Sequence, residues 1–334
     1  MASVILSEAS GQLKALYGDI QDPLASYIEH KAEDIEAEES VCFKVFDKRK
    51  RTHYAESYRS ETEMADMLPV GENGDYPSTG YQEGYDKTIN NMTFKNSFAV
   101  SREMMDDNIL TSIGKKPDKL LRSYYRGRCR NMAAAIGNAL QGNTSFKVNG
   151  FEFSTVCADG SCVFSKNHKP KISGKVQSNL FADEFSADAL FAAITKMQNF
   201  KDENGNTLSL CPDTIIIPNN NAALKKSVIQ AIASIKEADS ANNAINPLFG
   251  QLDIVTWGYL NDYIGELNAP WILFDSKYNA ENDGNIYQER TDLEIRSELG
   301  GNDANIWKGY ARYGFGFVDF RQMLAGGISG GSAL

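Results

Sequence analysis

Two carboxylates in the stretch NMTFKNSFAVSREMMDDN, residues 91–108, have the spacing that divalent-cation binding or acid–base chemistry could use. Glu103 and Asp107 are four residues apart, so their side chains would share one face of a helix. The same stretch is also rich in capping residues, because Ser101 can cap a short helix and the Asp-Asp-Asn run can turn the chain. No histidine or second carboxylate cluster accompanies the pair, so we favour a structural corner between two elements.

A second candidate is the pattern Cys-x4-Cys-x5-His formed by Cys157, Cys162 and His168, which could supply three zinc ligands. Structural zinc sites use four ligands and more tightly spaced cysteine pairs, whereas the nearest further cysteine is Cys211. We therefore favour a loop histidine that hydrogen-bonds to the backbone.

Imidazole bases are scarce, since His30, His53 and His168 are the only histidines. None lies in a nucleophile elbow or an HExxH helix, and the chain has neither a GxxxxGK[ST] loop nor a dinucleotide-binding glycine fingerprint. A cysteine–histidine pair remains possible on paper. The sequence predicts no catalytic residue, no metal ligand and no cofactor.

The basic run Lys48-Arg49-Lys50-Arg51 allows three interpretations. It could meet nucleic-acid phosphates, it could meet an acidic patch on another copy of this chain, or it could be a solvated turn. The sequence leaves all three open.

Composition excludes several classes of function. The 334 residues carry a net charge of -10 with a pI near 5.0, which argues against broad binding to nucleic acid or anionic membranes. No run of about 18 apolar residues could span a bilayer, and the N-terminus lacks a secretory signal pattern. Five cysteines in a chain of this length indicate reduced thiols. We expect a soluble, acidic, intracellular protein.

The elements around these residues begin with an arm and a long flap. Residues 1–40 are predicted to be an N-terminal arm, because Pro23 interrupts any single helix and the acidic end is too polar to bury much. Alternation predicts a strand at 41–47 and another that returns through Phe94, Phe98 and Val100. Between them, about 40 residues rich in glycine and polar side chains predict an extended loop that leaves the body.

A long helix and a mixed body follow. Apolar residues every three or four positions predict a helix over 116–140, with Pro117 in its first turn and Gly142 at its exit. Beyond it we predict a helix capped by Ser186, a second helix carrying Leu224, and several strands. The strands are placed at 214–217, 252–257, 271–274, 292–296 and 306–320, and Gly314 and Gly316 in the last one indicate close packing against a neighbour.

This order of elements resembles the major capsid protein of tailed bacteriophages, the Johnson fold that is shared with herpesvirus floors and encapsulin shells. Within that group the chain is most similar to Mu-type major head subunits. The phrases that carry the resemblance are FKNSFAVSREMMDDN, DGSCVFSKNHK and the segment SNLFADEF…VIQAI at 178–232.

The resemblance implies an α+β fold in five segments. These are an N-terminal arm (1–40), an extended two-stranded loop or E-loop (41–100), a spine helix with a peripheral domain (101–219), an axial domain (220–300), and a C-terminal strand that returns to the peripheral domain with a flexible tail (301–334). The VSREMMDDN corner would then be the hinge at which the extended loop returns to the body.

The resemblance also implies self-assembly into pentamers and hexamers of an icosahedral shell that encloses double-stranded DNA without reading its sequence. It implies assembly in the cytoplasm of a bacterial host and a final place in the virion, with no membrane partner and no enzymatic activity. Separate scaffolding and portal proteins are expected partners, and decoration proteins are allowed. Because some relatives carry an N-terminal scaffolding segment that is cleaved off, this chain either uses separate scaffolding or is a processed form. The alternatives are an encapsulin-like compartment and a soluble α+β enzyme with a lid loop.

Overall fold

Two units, each assembled from separated stretches of the chain, make up the fold. The computed structural model describes residues 5–6, 28, 31–61, 67–72, 74–76, 83–106, 110–172, 174–234 and 246–328. Unit 1 comprises residues 1–56, 90–132 and 287–315, and unit 2 comprises residues 57–89, 133–286 and 316–334. Most of the predicted arm, the middle of the predicted flap and the glycine-rich tail lie outside the described residues.

Unit 1 is built on a five-stranded sheet. Its strands are β1 (Ile5–Leu6), β2 (Asp47–Lys50), β5 (Met92–Val100), β11 (Asn285–Leu299) and β12 (Asn305–Phe317). The order is β1–β11–β12–β5, β2 also pairs with β11, and β5 runs antiparallel to β12. Aromatic pairs bridge β5 and β12: Phe94 stacks on Tyr313 with ring centroids 4.0 Å apart, and Phe98 stacks on Trp307. Such cross-strand pairs fix the register of the sheet.

The helices of unit 1 are α1 (residues 31–38), α2 (Arg102–Asp106) and the first part of α3 (Leu110–Leu140). The division between the two units falls within α3, between residues 132 and 133. In its described part, α3 buries an apolar stripe that includes Leu121, Tyr125, Cys129 and Met132. This confirms the helical period read from the sequence.

Unit 2 contains a four-stranded sheet in the order β13–β10–β8–β9. Its strands are β8 (Thr214–Ile217), β9 (Asp253–Thr256), β10 (Trp271–Phe274) and β13 (Met323–Gly326). Helices α4 (Ala187–Gln198) and α5 (Ala222–Ala233) contribute Leu190, Met197, Val228 and other apolar side chains to the same buried cluster as the sheet. The side chain of Ser186 accepts a hydrogen bond from the backbone N–H of Ala189, which confirms the predicted cap.

The remaining elements of unit 2 are two strand pairs and a short helix. β3 (Ala55–Glu61) pairs with β4 (Glu83–Asn90), and β6 (Ser145–Val148) pairs with β7 (Phe151–Ser154). α6 spans Ser276–Glu281, and short 3-10 turns lie at Gly258–Asp262 here and at Val41–Lys44 in unit 1.

Three expectations about single elements were wrong. The strand predicted at 41–47 is absent from residues 41–46: Val41–Lys44 form a 3-10 turn, and Cys42, Val45 and Phe46 are buried. Helix α3 begins at Leu110, so Pro117 lies inside it rather than in its first turn. The C-terminal strand was predicted to end at residue 320, but β12 ends at Phe317 and a separate strand, β13, follows.

The predicted close packing around the glycines of β12 is confirmed. A Cβ at Gly314 would lie 2.5 Å from the carbonyl oxygen of Asn90, and one at Gly316 would lie 3.1 Å from Ile89. Mixed helix and strand content gives the predicted α+β class. In the part of the chain that the structure describes, no helix is both long and apolar enough to cross a membrane.

Candidate assembly surfaces

Among the described residues, the two most exposed large apolar side chains lie in the segment that runs from the end of β3 into β4, here called the flap (residues 61–86). Met67 and Tyr76 are 101% and 98% exposed, and Leu68 and Val70 are more than half exposed. Large apolar side chains left in water as a group mark a surface that another molecule covers. The flap is therefore a candidate interaction surface.

The base of the flap is anchored within unit 2. The Lys171 ammonium donates hydrogen bonds to the carbonyl oxygens of Glu83 (3.0 Å) and Gly84 (2.8 Å). The Lys87 ammonium donates to Ser154 Oγ at 3.1 Å, and burial lowers the pKa of Lys87. A small buried cluster completes the anchor, formed by Tyr58, Ile89, Ile286 and Val318.

Helix α3 is rich in basic residues, whereas the flap is rich in acidic ones. Residues 115–130 contain seven basic side chains and a single acidic one, Asp118. Four of the basic side chains are exposed, namely Lys119, Arg122, Arg126 and Arg130. The flap carries seven carboxylates and no lysine or arginine; these are Glu61, Glu63, Asp66, Glu72, Asp75, Glu83 and Asp86. We missed this separation of charge in the sequence, although counting charges segment by segment would have found it.

The buried member of the α3 basic set, Arg128, fixes the helix within unit 1. Arg128 is 0% exposed, and its Nη2 lies 2.8 Å from Glu36 Oε1 on α1. Its guanidinium also stacks over the rings of Phe43 and Tyr125, each 4.6 Å from the centroid. Burial alone would raise the pKa of Glu36, but the Arg128 guanidinium and the Lys48 ammonium hold it below its ordinary value.

The basic run at residues 48–51 is largely engaged inside unit 1. Lys48 lies 3.1 Å from Glu289 and 3.4 Å from Glu36, and Arg49 lies 2.7 Å from Asp47. Burial raises the pKa of Glu289, and the neighbouring Asp292 adds to that increase. Two of the four cations in the run therefore have carboxylate partners in the same chain.

Side-chain contacts around Ser101 and Arg102 hold the described part of the corner between β5 and α2. The N–H of Met104 donates to Ser101 Oγ at 3.4 Å, and Arg102 pairs with Asp303 at 3.3 Å. The pKa of Glu103 is lowered by hydrogen bonds from its own backbone and from Ser101. Asp107 and Asn108 lie outside the described residues.

The three side chains that were considered and disfavoured as zinc ligands are held by different neighbours in unit 2. Cys157 Sγ donates to the carbonyl oxygen of Asp319 at 3.3 Å, and Cys162 Sγ lies 3.5 Å from the carbonyl oxygen of Ala139. His168 Nδ1 lies 2.7 Å from Asp159 Oδ2, so the histidine pairs with a carboxylate rather than with the backbone partner that we expected for its side chain. Within the described ranges, no three His, Cys, Asp or Glu side chains come close enough to share a metal ion.

The remaining histidines are His30 and His53. His30 lies outside the described residues, and His53 contributes its backbone carbonyl, which accepts a hydrogen bond from Asn91 Nδ2 at 2.9 Å.

A polar cleft of about 340 Å³ in unit 2 has groups that an enzyme could use, but these groups are tied to one another. Arg321 pairs with Glu203 at 2.8 Å and with Asp319 at 3.1 Å, and the Tyr278 hydroxyl donates to Asp319 at 2.8 Å. Burial would raise the pKa of Asp319, but Arg321 and Tyr278 hold it below its ordinary value. Burial raises the pKa of the Cys157 thiol, which makes it a poor nucleophile. The arrangement is that of a structural ion-pair network.

Comparison with known proteins also indicates a structural protein. The sequence matches the family described as phage capsid protein over residues 85–325, well over half of the chain. No curated protein matches it.

Solved structures share the fold. A chain from Mycobacterium phage Patience is 11% identical with a TM-score of 0.51, and the match covers 100% of this chain and 95% of that one. A chain from the capsid of cyanophage P-SCSP1u is 10% identical with a TM-score of 0.52, covering 85% and 86%. Fold and family agree: the chain belongs to the phage capsid protein family, and it is a structural protein of a capsid shell with the α+β fold of tailed-phage major capsid proteins.

Proposed function

We propose that this chain is the major head protein, which self-assembles into pentamers and hexamers of an icosahedral shell enclosing double-stranded DNA. The observation that carries the proposal is the flap, whose apolar side chains lie in water in the single chain. A surface of this kind is stable in a particle only when another molecule covers it.

The energetics suit an assembly of many copies. Burying one large apolar side chain is worth about 1.5–3 kcal/mol, so Met67, Leu68, Val70 and Tyr76 together supply a substantial share of one contact. Association itself costs several kcal/mol in lost freedom, which leaves each contact modest. A closed shell engages many such contacts at once, and this raises the overall affinity without any new contact.

The five segments keep the roles given above as part of the proposal: arm (1–40), extended loop (41–100), spine helix and peripheral domain (101–219), axial domain (220–300), and returning strand with tail (301–334). The special likeness to Mu-type head subunits also remains a prediction. Separate scaffolding, portal and decoration proteins are proposed partners. The virion is the proposed location, after assembly in the host cytoplasm.

The enclosed DNA is proposed to be confined rather than bound. The chain carries a net charge of -10, and two cations of its densest basic run have carboxylate partners in the same chain. An acidic shell gains little from phosphate contacts, so packaging must be driven by other components.

The test is electron microscopy of the purified protein and of a variant that lacks residues 71–84. We expect the wild type to form closed polyhedral particles tens of nanometres across, and the deletion to fold without closing particles. Circular dichroism and hydrogen exchange in β8 and β10 report the folding of the variant. A matched control, Phe249→Ser, removes an exposed apolar side chain outside the flap and should leave particle formation intact.

Three results would contradict the proposal. Normal particles from the deletion would refute the role given to the flap. A wild-type chain that stays monomeric with a ligand in the unit 2 cleft would favour the enzyme alternative. Particles from phage-infected cells that protect no DNA from nuclease would favour a compartment of the encapsulin type.

A further inference from the structure

Two buried cysteine thiols of unit 1 lie against each other, although they come from distant parts of the chain. Cys42 belongs to the 3-10 turn at Val41–Lys44, and Cys129 belongs to α3. They are 0% and 1% exposed, and their side chains share a hydrogen bond. Their sequence neighbours Phe43 and Arg128 are also in contact, with the guanidinium 4.6 Å from the ring centroid. The two thiols therefore lie at a packed junction between the turn and the helix.

The other three cysteines are in unit 2 and have other surroundings. The Sγ atoms of Cys157 and Cys162 are directed at two different backbone carbonyl oxygens, and Cys211 is exposed. Each of the five cysteines is a thiol rather than half of a disulfide. Since a disulfide forms without rearrangement only between cysteines that are already neighbours, the geometry selects Cys42 and Cys129.

The pair is unreactive while the turn stays packed. Burial raises the pKa of the Cys42 thiol above its ordinary value and the hydrogen bond with Cys129 adds to this increase, although the Arg128 guanidinium opposes it. Because the thiolate is the form that attacks a disulfide, oxidation requires the turn to open. The turn follows α1, which is held on α3 by the ion pair between Glu36 and Arg128 at 2.8 Å. Opening of α1 and the turn together should therefore set the rate of oxidation.

We infer that Cys42 and Cys129 are a redox modification site, at which a disulfide of low molecular weight joins the two side chains and fastens the turn to α3. In the first step the Cys42 thiolate of an opened turn attacks one sulfur of the oxidant, whose S–S bond breaks and releases one thiolate. In the second step the Cys129 thiolate attacks the Cys42 sulfur and releases the other. The protein loses two hydrogens, and the oxidant becomes two thiols that take up the two protons.

The disulfide would close a loop that contains the whole flap and β5, because both lie between residues 42 and 129. A bond across a long loop restricts the open state far more than the packed one. The cytosol keeps thiols reduced, whereas the surroundings outside a cell favour disulfides. The timing of the reaction rests on the proposed function, since in a virion the bond would form after release from the host. The reaction itself needs only the single chain.

The test is oxidation of the purified full chain in a Cys211→Ser background, which removes the exposed thiol. Oxidised glutathione is the probe, and peptide mass spectrometry after alkylation of the remaining thiols finds which cysteines are joined. We expect a bond between Cys42 and Cys129 within one chain, with an unchanged circular dichroism spectrum. Hydrogen exchange in residues 31–46 should slow at least about tenfold after oxidation, should recover on reduction, and should not change in β8 and β10.

A variant that loosens α1 tests the opening step. Glu36→Gln removes the ion pair with Arg128 and should accelerate the cross-link at least about tenfold, because the turn opens more often. Glu298→Gln is the matched control, since it removes one side of an exposed ion pair elsewhere in unit 1 and should leave the rate within about twofold of wild type.

The inference fails on any of three results. In the first, Cys42 and Cys129 stay reduced even in Glu36→Gln, or each takes up glutathione without bonding to the other. In the second, the bond appears only in chains that have lost their circular dichroism spectrum, or it joins cysteines of different chains. In the third, Glu36→Gln and Glu298→Gln oxidise at the same rate as wild type, which would show that opening of the turn does not control the reaction.

Failure of this inference and failure of the proposed function give different results. A chain that forms closed particles but no bond between Cys42 and Cys129 keeps the shell function and loses the modification site. A chain that forms the bond but no particles keeps the modification site and loses the shell function.

Discussion

The buried guanidinium of Arg128 should be the main determinant of stability in unit 1, and Arg128→Met is the substitution that tests it. Methionine keeps an unbranched apolar stem but removes the guanidinium, and with it the charge, the ion pair with Glu36 and the stacking on Phe43 and Tyr125. The Lys48 ammonium still lies beside Glu36 in this variant.

The magnitude follows from the contacts that are lost. Removing one partner of a buried ion pair costs about 3–5 kcal/mol, but Glu36 is 19% exposed and keeps Lys48 at 3.4 Å, so the lower end applies. A desolvated cation–π contact adds about 2 kcal/mol, and relief of the guanidinium's desolvation offsets part of the total. We expect a loss of about 3 kcal/mol. Arg128→Lys keeps the charge but not the planar stacking, and should cost about half as much.

The assay is hydrogen exchange by mass spectrometry on dissociated subunits. A chain with two units need not unfold in one step, so local opening is a better measure than a single midpoint. A loss of about 3 kcal/mol corresponds to roughly a hundredfold faster exchange in peptides from residues 118–132. Strands β8 and β10 of unit 2 are the internal reference and should not change.

The ion-pair explanation has its own control. Glu36→Gln alone should destabilise unit 1. The double variant with Arg128→Met and Glu36→Gln should lose at least about 1 kcal/mol less stability than the sum of the losses in the two single variants. Strict additivity would show that the pair contributes nothing specific. Acceleration below fivefold in α3, or equal acceleration in β8 and β10, would refute the role assigned to Arg128.

Three further predictions concern unit 2. Gly326→Ala should cost about 3 kcal/mol, because the new Cβ would lie 2.1 Å from the ring of Trp271; thermal unfolding measures it. Asn179→Ala should cost about 3 kcal/mol in the same assay, because the buried amide of Asn179 bonds three backbone carbonyls and one N–H. Asp319, whose pKa Arg321 holds low, should stabilise the fold above about pH 4 and lose that contribution as the pH falls through its folded pKa. The stability gap between wild type and Asp319→Asn should therefore shrink in acid.

Matched controls accompany these changes. Gly258→Ala adds a methyl group where no atom lies within 4 Å, and should be close to neutral. Asn268→Ala and Asp253→Asn change exposed side chains and should alter stability by less than about 0.5 kcal/mol. If a control substitution at an exposed residue lowers the stability as much as its matched substitution at a buried residue, the packing argument for the buried residue is wrong.

Elements defined by local signals were predictable. β8 and β10 lie at the predicted residues, because short apolar runs ended by proline or a polar turn specify a buried strand. The cap at Ser186 was also predictable from a local signal, because serine is a preferred N-cap residue. β13 was not, since its sequence MLAG has no strand preference and forms a strand by pairing with β10.

Tertiary contacts explain the other failures. Residues 41–46 alternate like a strand, but Phe43 packs against Tyr287 and the Arg128 guanidinium, and this pocket holds the segment in a turn. No local pattern reveals that Arg128 will be buried, because Glu36 comes from α1 and Phe43 from the 3-10 turn at Val41–Lys44. The separation of charge between the flap and α3 could be counted in the sequence, but the exposure of Met67 and Tyr76 could be found only in the structure.

The net charge of the chain bears on the proposed assembly of many copies. A net charge of -10 would make copies repel one another at long range. At physiological salt the Debye length is only about 8 Å, so charges in contact outweigh the distant ones. In the proposed shell, the carboxylates of the flap and the four exposed cations of α3 would favour one relative orientation of two copies and disfavour flap against flap. Raising the salt concentration should therefore slow assembly more than it weakens finished particles, because salt does not screen the apolar contacts that are proposed to hold the particle together.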